Sequence, residues 1–321
     1  MKKKPIWLAI VLMIMAGFLS AVERIQLSKP VEFGKMLDKN NVFLKMCLSF
    51  DEADGYFYFL DSKFGMVFKV EEKSGKLVKT IGSKGQGPFE LQNATAMRVK
   101  NNKIFVLDGG FNGIKIFDTE GNNLNEIKLN VVISWRSIDV NDKEEIFLGR
   151  VDTEKKTLVS VFNAKGENLR SIVPDKKLKK DNQLSPHWYY HIRLDNSGNI
   201  YVLFYLLRKL AKYNSKGTLI WEIPIKNEIL DRYPNNDRVW RGSEKTVRLR
   251  MSVFNLDTTP GNNVVISHIG GGCMFSGNGI LKKLITLENG FSLSLVKALK
   301  DRLINLPLFG ERISIYEFKE E

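Results

Sequence analysis

One short pattern recurs along this chain, and it constrains the fold more than any other feature. "KIFVLD" puts Ile104 at the head of an apolar run. The same position is held by Phe57 in "YFYFLD", Ile146 in "EIFLGR", Ile200 in "NIYVLF", Val264 in "NVVISH" and Leu303 in "RLINLP". The six copies lie 39 to 64 residues apart and together cover residues 45 to 320. Self-similarity at such a period marks an array built from one repeated unit.

A second signature follows the first. In "IKIFDTEGNNL", "VSVFNAKGENL" and "LAKYNSKGTLI" an aromatic residue (Phe117, Phe162, Tyr213) precedes Asp or Asn. Gly121, Gly166 and Gly217 come four residues after those aromatics. Asp and Asn fold back on their own backbone and Gly accepts positive φ, so each segment reads as a hairpin turn. Leu124, Leu169 and Ile220 then open the next strand. Outside one stretch of the last copy, no unit carries a 3.6-residue apolar period. Each unit therefore reads as four short antiparallel strands, in the second copy Thr95 to Val99, Ile104 to Asp108, Ile114 to Phe117 and Leu124 to Lys128.

Such a unit cannot bury both faces alone, and radial repetition of four-stranded blades solves that. The expectation is an all-β, six-bladed propeller over residues 22–321, with Arg24 to Phe33 adding a strand to the last blade. In the last copy Leu295, Leu299 and Leu303 fall at helical spacing. Strands are preferred there, because a ring lacking its final blade would expose open edges.

"GSKGQGPFEL" (82–91) looks at first like a phosphate cradle. A P-loop needs Lys-Ser or Lys-Thr after its second glycine and a helix behind it; Gln86 to Leu91 offers neither. The segment reads as a blade-to-blade joint. Together with "MRVKNNKIFVLDGGFNGIKIFDTEG" it resembles the NHL-repeat family of six-bladed propellers, bacterial exported members in particular. Gly85, Gly87, Pro88, Asp108, Asn112, Phe117 and Asp118 carry that resemblance, which thins out in the last two copies. It implies the same six-bladed fold.

The N-terminus is an address. "MKKK" is a basic n-region, Pro5 to Leu19 is an uncharged apolar stretch, and Ser20 and Ala21 supply small residues. That is the layout of a secretory signal helix over residues 1–21. The stretch is short for a membrane span of about 20 residues. Leu19 at the minus-three position keeps an uncleaved inner-membrane anchor as the alternative. The expected location is periplasmic or extracellular, with membrane contact only through this segment. Cys47 and Cys273 lack metal-ligand spacing and read as two separate buried residues. The net charge of +13 favours anionic partners without specifying a fold, and the basic residues read as a solvated surface.

A meander places the short hairpins on one face of the ring and the long connections on the other, where function concentrates. That second face is expected to carry the joints Val173 to Tyr190 and Pro224 to Arg250, and a loop from His268 to Gly279. Asp231 to Arg250 holds five arginines with Tyr233 and Trp240. Arginine forks suit carboxylates and sulfates, so Arg238, Trp240 and Arg241, with Trp188 and Tyr189, form the candidate binding surface. Export argues against nucleic acid as the partner.

His187, His191 and His268 map to the same face, His191 aligning with Thr95 at the channel end of an inner strand. Among six-bladed relatives, peptide-amidating lyases hold zinc with histidines from separate blades, so the resemblance makes these three the alternative metal set. No catalytic constellation is complete. The reading is a monomeric, non-catalytic propeller without cofactor that binds a protein, peptide or anionic glycan. The alternative is a metal-dependent lyase or lactonase acting at the channel mouth.

Overall fold

The computed structural model describes residues 22–129, 137–152, 154–175, 189–232, 240–241, 247–248, 253–288, 293–306 and 313–318. Residues 1–21, the expected signal segment, lie outside them. Six antiparallel sheets surround a channel. Their inner strands are Cys47–Ala53, Ala94–Lys100, Ile138–Val140, Tyr190–Leu194, Val253–Thr258 and Leu295–Ala298. All six repeat anchors fall in the second strands. The last copy is strand where the helical spacing competed, over Leu295–Ala298 and Arg302–Leu306.

The turns obey the chemistry of their residues. Asn101 and Asn102 both have positive φ, 50° and 58°, as a two-residue hairpin loop requires. Asp118 Oδ1 accepts N–H bonds from Glu120 (2.9 Å) and Asn122 (2.8 Å), and Asn163 and Asn214 do the same in their blades. The Asp that ends a second strand works at the opposite face. Asp108 accepts the N–H groups of Gln92, Asn93 and Gly110, and Asp61 those of Met46, Lys63 and Phe64. Each thereby ties a blade to the joint that enters it.

The joint 82–91 contains a two-residue parallel pairing, Ser83–Lys84 with Glu90–Leu91. Its carbonyls converge on a cation: buried Lys115 Nζ donates to Gly87 O (2.5 Å) and Glu90 O (2.8 Å). A phosphate would need converging N–H groups instead. Lys69 and Lys212, also buried in third strands, donate to the next blade's turn at Thr119 O and Gly277 O. Part of the positive charge expected at the surface is thus inside, linking neighbours.

"HIGGGCMFSGNG" departs from expectation. It is the third strand of the fifth blade, Gly271–Phe275, and not a long loop. A Cβ on Gly271 would stand 2.1 Å from Ile285 O, and one on Gly272 2.9 Å from Ile266 O. The glycines permit close backbone approach in the sheet. Cys273 and Cys47 are both buried and free.

The core is divided into six apolar clusters, each packed between adjacent blades. The N-terminal segment closes the ring. Glu23–Leu27 adds a fifth, parallel strand to the fifth blade, and Val31–Glu32 supplies the outer strand of the sixth. A seven-residue helix, Phe33–Lys39, follows and buries Phe33, Gly34 and Leu37. Phe33 is fully buried, edge-on to Phe57 at 5.0 Å, in the cluster between the first and last blades. Phe33→Ala removes a buried aromatic where closure is made, a change that costs about 3–5 kcal/mol. The expected outcome is a urea midpoint shifted downward with unchanged far-UV circular dichroism below the transition.

Candidate functional site

The anchors pair across to Glu52, Val99, Val140, Leu194, Thr258 and Ala298 on the inner strands. Successive strand residues point to opposite faces. The residue before each partner points into the channel, giving Asp51, Arg98, Asp139, Arg193, Asp257 and Lys297. Each blade contributes one, and the sign alternates from blade to blade. Five of the six are buried and Lys297 is half-buried.

Arg98 spans the channel. Its Nη1 lies 3.5 Å from Asp51 Oδ2, its Nε 3.2 Å from Asp139 Oδ1, and its Nη2 3.7 Å from Asp257 Oδ1 on the opposite blade. Lys297 Nζ meets Asp51 Oδ1 at 2.8 Å and Asp257 Oδ2 at 4.0 Å, and Arg193 Nε meets Asp257 Oδ1 at 3.4 Å. The Nε contacts of the two arginines are ion pairs without hydrogen-bond alignment. The aspartates also join blades in pairs. Asp51, Asp139 and Asp257 accept the backbone N–H of Val99 (3.0 Å), Leu194 (2.8 Å) and Ala298 (3.0 Å), each next to the following blade's cation.

Burial alone would push the Asp51 carboxyl up, but Lys297 and Arg98 outweigh it and hold it well below the usual range. Burial works against the charge on Arg98 and Lys297 too, yet the facing carboxylates raise both. Arg193 is the exception. Burial and the repulsion of Arg98 bring it down to about 10, because the carboxylates do not fully compensate it.

The ring divides the channel into two cavities. On the hairpin side lies a polar one of about 990 Å³, lined by Asp51, Asp139, Lys100, Asp195 and their neighbours. On the joint side lies one of about 350 Å³ with apolar walls, among them Phe50, Met97, Ile138, Tyr190, Phe254 and Leu295. Arg98, Arg193, Lys297 and Asp257 face this second cavity, and so do His191 and Asn255. His191 Nε2 and Asn255 Oδ1 are buried without a partner, and the two residues are only 7% and 6% exposed. Burial first, then Arg193 and Arg98, hold His191 well below its ordinary value, so it is neutral near pH 7.

The three candidate histidines are not brought together. His268 is fully buried in a second strand, donating from Nδ1 to Ile269 O (2.8 Å) while Nε2 accepts from Asn227 Nδ2 (3.2 Å). Both ring nitrogens are engaged, so His268 is structural. His187 lies outside the described residues. His191 matches Ala96 and not Thr95, since both lie opposite the residue three after the anchor. The fourth blade's first hairpin, with Asp195 to Asn199, is longer by one residue than the second blade's. Among the described residues no three His, Cys, Asp or Glu side chains converge as metal ligands. The channel carboxylates that a lactonase-type site would use are matched by Arg98, Arg193 and Lys297, so these residues do not fit zinc or calcium.

Of the candidate binding surface, Trp188 and Arg238 lie outside the described residues, as do the side chains of Trp240 and Arg241. The backbone of Trp240–Arg241 pairs with Val247–Arg248. Tyr189 is half-buried, its C=O accepting the Tyr205 N–H (2.9 Å), next to Tyr190 on the cavity wall. Sequence reasoning missed the charge ring and Asn255. The signal was present: a charged residue stands six or seven positions before every anchor, with alternating sign.

No known family matches the chain by sequence, and no curated protein does so. Solved structures match by fold. A streptogramin B lyase superposes over 86% of this chain and 84% of its own, with TM-score 0.54 and 12% identity. A catalytically inactive virginiamycin B lyase from Staphylococcus aureus, solved with quinupristin, covers 91% of this chain and 89% of its own, with TM-score 0.56 and 10% identity. At these identities the likeness is one of fold.

Asp257 meets all three cations. Removing one partner of a buried ion pair costs about 3–5 kcal/mol, so Asp257→Ala is expected to lose at least that in chemical denaturation. Asp257→Asn, which keeps an acceptor for Ala298 N–H, should lose less. A pH dependence follows from the histidines, since burial lowers both His191 and His268. Below about pH 6.5 the unfolded chain takes up protons that the folded one refuses. Stability is therefore full above that value and falls as the pH drops through it. Denaturation midpoints measured between pH 8 and 5 should show this decline, reduced in His191→Gln.

Proposed function

We propose that this chain is an exported, non-catalytic propeller of NHL-repeat type. It binds a protein or peptide partner on the face where blades are joined, and the joint-side cavity receives part of that partner. One observation carries the reading: an apolar cavity of about 350 Å³ holds buried polar atoms, His191 Nε2 and Asn255 Oδ1, that have no partner among the described residues. Ligand pockets combine these features, apolar walls with a few placed polar groups, over about 300–1,000 Å³. The charge ring beneath supports binding over catalysis, because its carboxylates are engaged by cations and by neighbouring N–H groups and have no free pair to move protons.

The test is affinity selection from a soluble library of free hexapeptides, read by mass spectrometry, on wild type and on Leu295→Trp. Leu295 is a half-buried wall residue, so the added bulk fills the cavity. Wild type should enrich a related set of peptides and Leu295→Trp should lose it, with melting temperatures within a few degrees. Identical enrichment by both, or none by either, would refute the proposal. Stoichiometric zinc or calcium that survives dialysis of the purified protein would favour the lyase or lactonase alternative.

A further inference from the structure

The joint-side cavity has a three-fold pattern with one break in it. Two residues before each aspartate of the ring stand Ser49, Ser137 and Asn255. Ser49 Oγ accepts the N–H of Met97 (3.1 Å) and Ser137 Oγ that of Ile192 (2.7 Å), each on the following blade. Asn255 holds the third equivalent place, but its Oδ1 has no such bond and is buried in the cavity wall. A buried acceptor without a donor is costly. An occupant offering an N–H group would remove that cost.

The neighbouring blade supplies the opposite requirement. Among the described residues Arg193 touches one carboxylate, Asp257 at 3.4 Å, whereas Arg98 touches three. Its Nη1 is taken up by its own neighbour, Ile192 O at 3.0 Å. Of the six ring groups, Arg98, Arg193, Lys297 and Asp257 face this cavity, while Asp51 and Asp139 face only the other one. The floor beneath the apolar walls thus carries three cations and one anion. Its least compensated member, Arg193, lies two residues from His191, whose Nε2 is also without a partner. A buried cation held near pKa 10 gains more from a new anion than one already saturated.

We infer that the cavity reads the C-terminal residue of a peptide: the chain-terminal carboxylate sits against Arg193 and His191 Nε2–H, the residue's amide N–H donates to Asn255 Oδ1, and its apolar side chain lies among Met97, Ile138 and Leu295. The inference rests on the peptide-binding function proposed above. An internal peptide residue has the N–H group and the side chain but no anion. A fatty acid has the anion and the chain but no N–H. A chain terminus brings all three on one carbon, and a volume of about 350 Å³ is at the small end of the ligand-pocket range of about 300–1,000 Å³.

Fluorescence polarisation tests it with N-terminally labelled tetrapeptides ending in Leu, Ile, Phe or Met, each as the free acid and as the C-terminal amide. At least one acid should bind, with its amide at least tenfold weaker. Arg193→Gln should bring acid and amide to equal, weak affinity, and Arg193→Lys should restore part of the difference. Should Arg193→Gln fail to fold, Asn255→Leu, which leaves the ring charges in place, is expected to weaken the acid at least fivefold with little change in melting temperature. The inference is overturned if amides bind as well as acids, if no acid binds at 1 mM peptide (a level of about −4 kcal/mol), or if Asn255→Leu binds the acid like wild type. Hexapeptides selected for an internal motif regardless of their last residue would leave the binding function standing and remove this inference alone.

Discussion

The interaction on which the rest of the molecule depends is the closed circuit of charges along the channel. Each inner strand contributes one group, and each group lies between neighbours of opposite sign. Desolvating a single carboxylate or guanidinium costs several kcal/mol. Here every carboxylate meets at least one cation, and the three aspartates also hold a neighbour's N–H. Buried ion pairs are weak contributors to net stability against apolar replacements but strict about geometry. The stabilising work is done further out, in the six apolar clusters between blades. The ring aligns the inner strands, since a shift of one residue would turn its charges into those clusters.

That alignment determines where anything can bind. Arg98, stretched from the second blade to Asp257 on the fifth, crosses the channel where the two cavities meet. They differ in character, polar on the hairpin side and apolar on the joint side. His191 and Asn255 face the apolar one from adjacent inner strands, where the pattern of inter-blade bonds made by Ser49 and Ser137 is interrupted. The scaffold is near-regular, and its irregularities gather at one place.

Much of the architecture is legible in the sequence because the repeat couples two local signals, an apolar second strand and an Asx-Gly turn. Phe117, Asp118 and Gly121 form the turn that their side-chain chemistry dictates. The N-terminal strand was also readable, since a final blade with too few strands needs one from elsewhere. Other features were hidden for physical reasons. The glycines of residues 270–272 read as a loop because flexibility and close backbone approach share one composition, and only Ile285 O and Ile266 O distinguish them. Lys69, Lys115 and Lys212 read as surface because lysine usually is, and their carbonyl partners lie in distant turns. The charge ring needed the six copies aligned through hairpins of unequal length. The one-residue difference at Asp195 to Asn199 was enough to put His191 opposite the wrong neighbour.

Alternation carries a rule about number. A closed cycle of plus and minus can be completed only when its members are even. A ring of five or seven such blades would put two like charges side by side, deep in the channel, with no partner between them. The aspartates bind forward to the next blade's N–H, so the indivisible unit of this architecture is two blades, one acidic and one basic. Repeat proteins commonly grow or shrink by single copies. This one can lose or gain blades only by twos, or must rewrite its inner strands when it does.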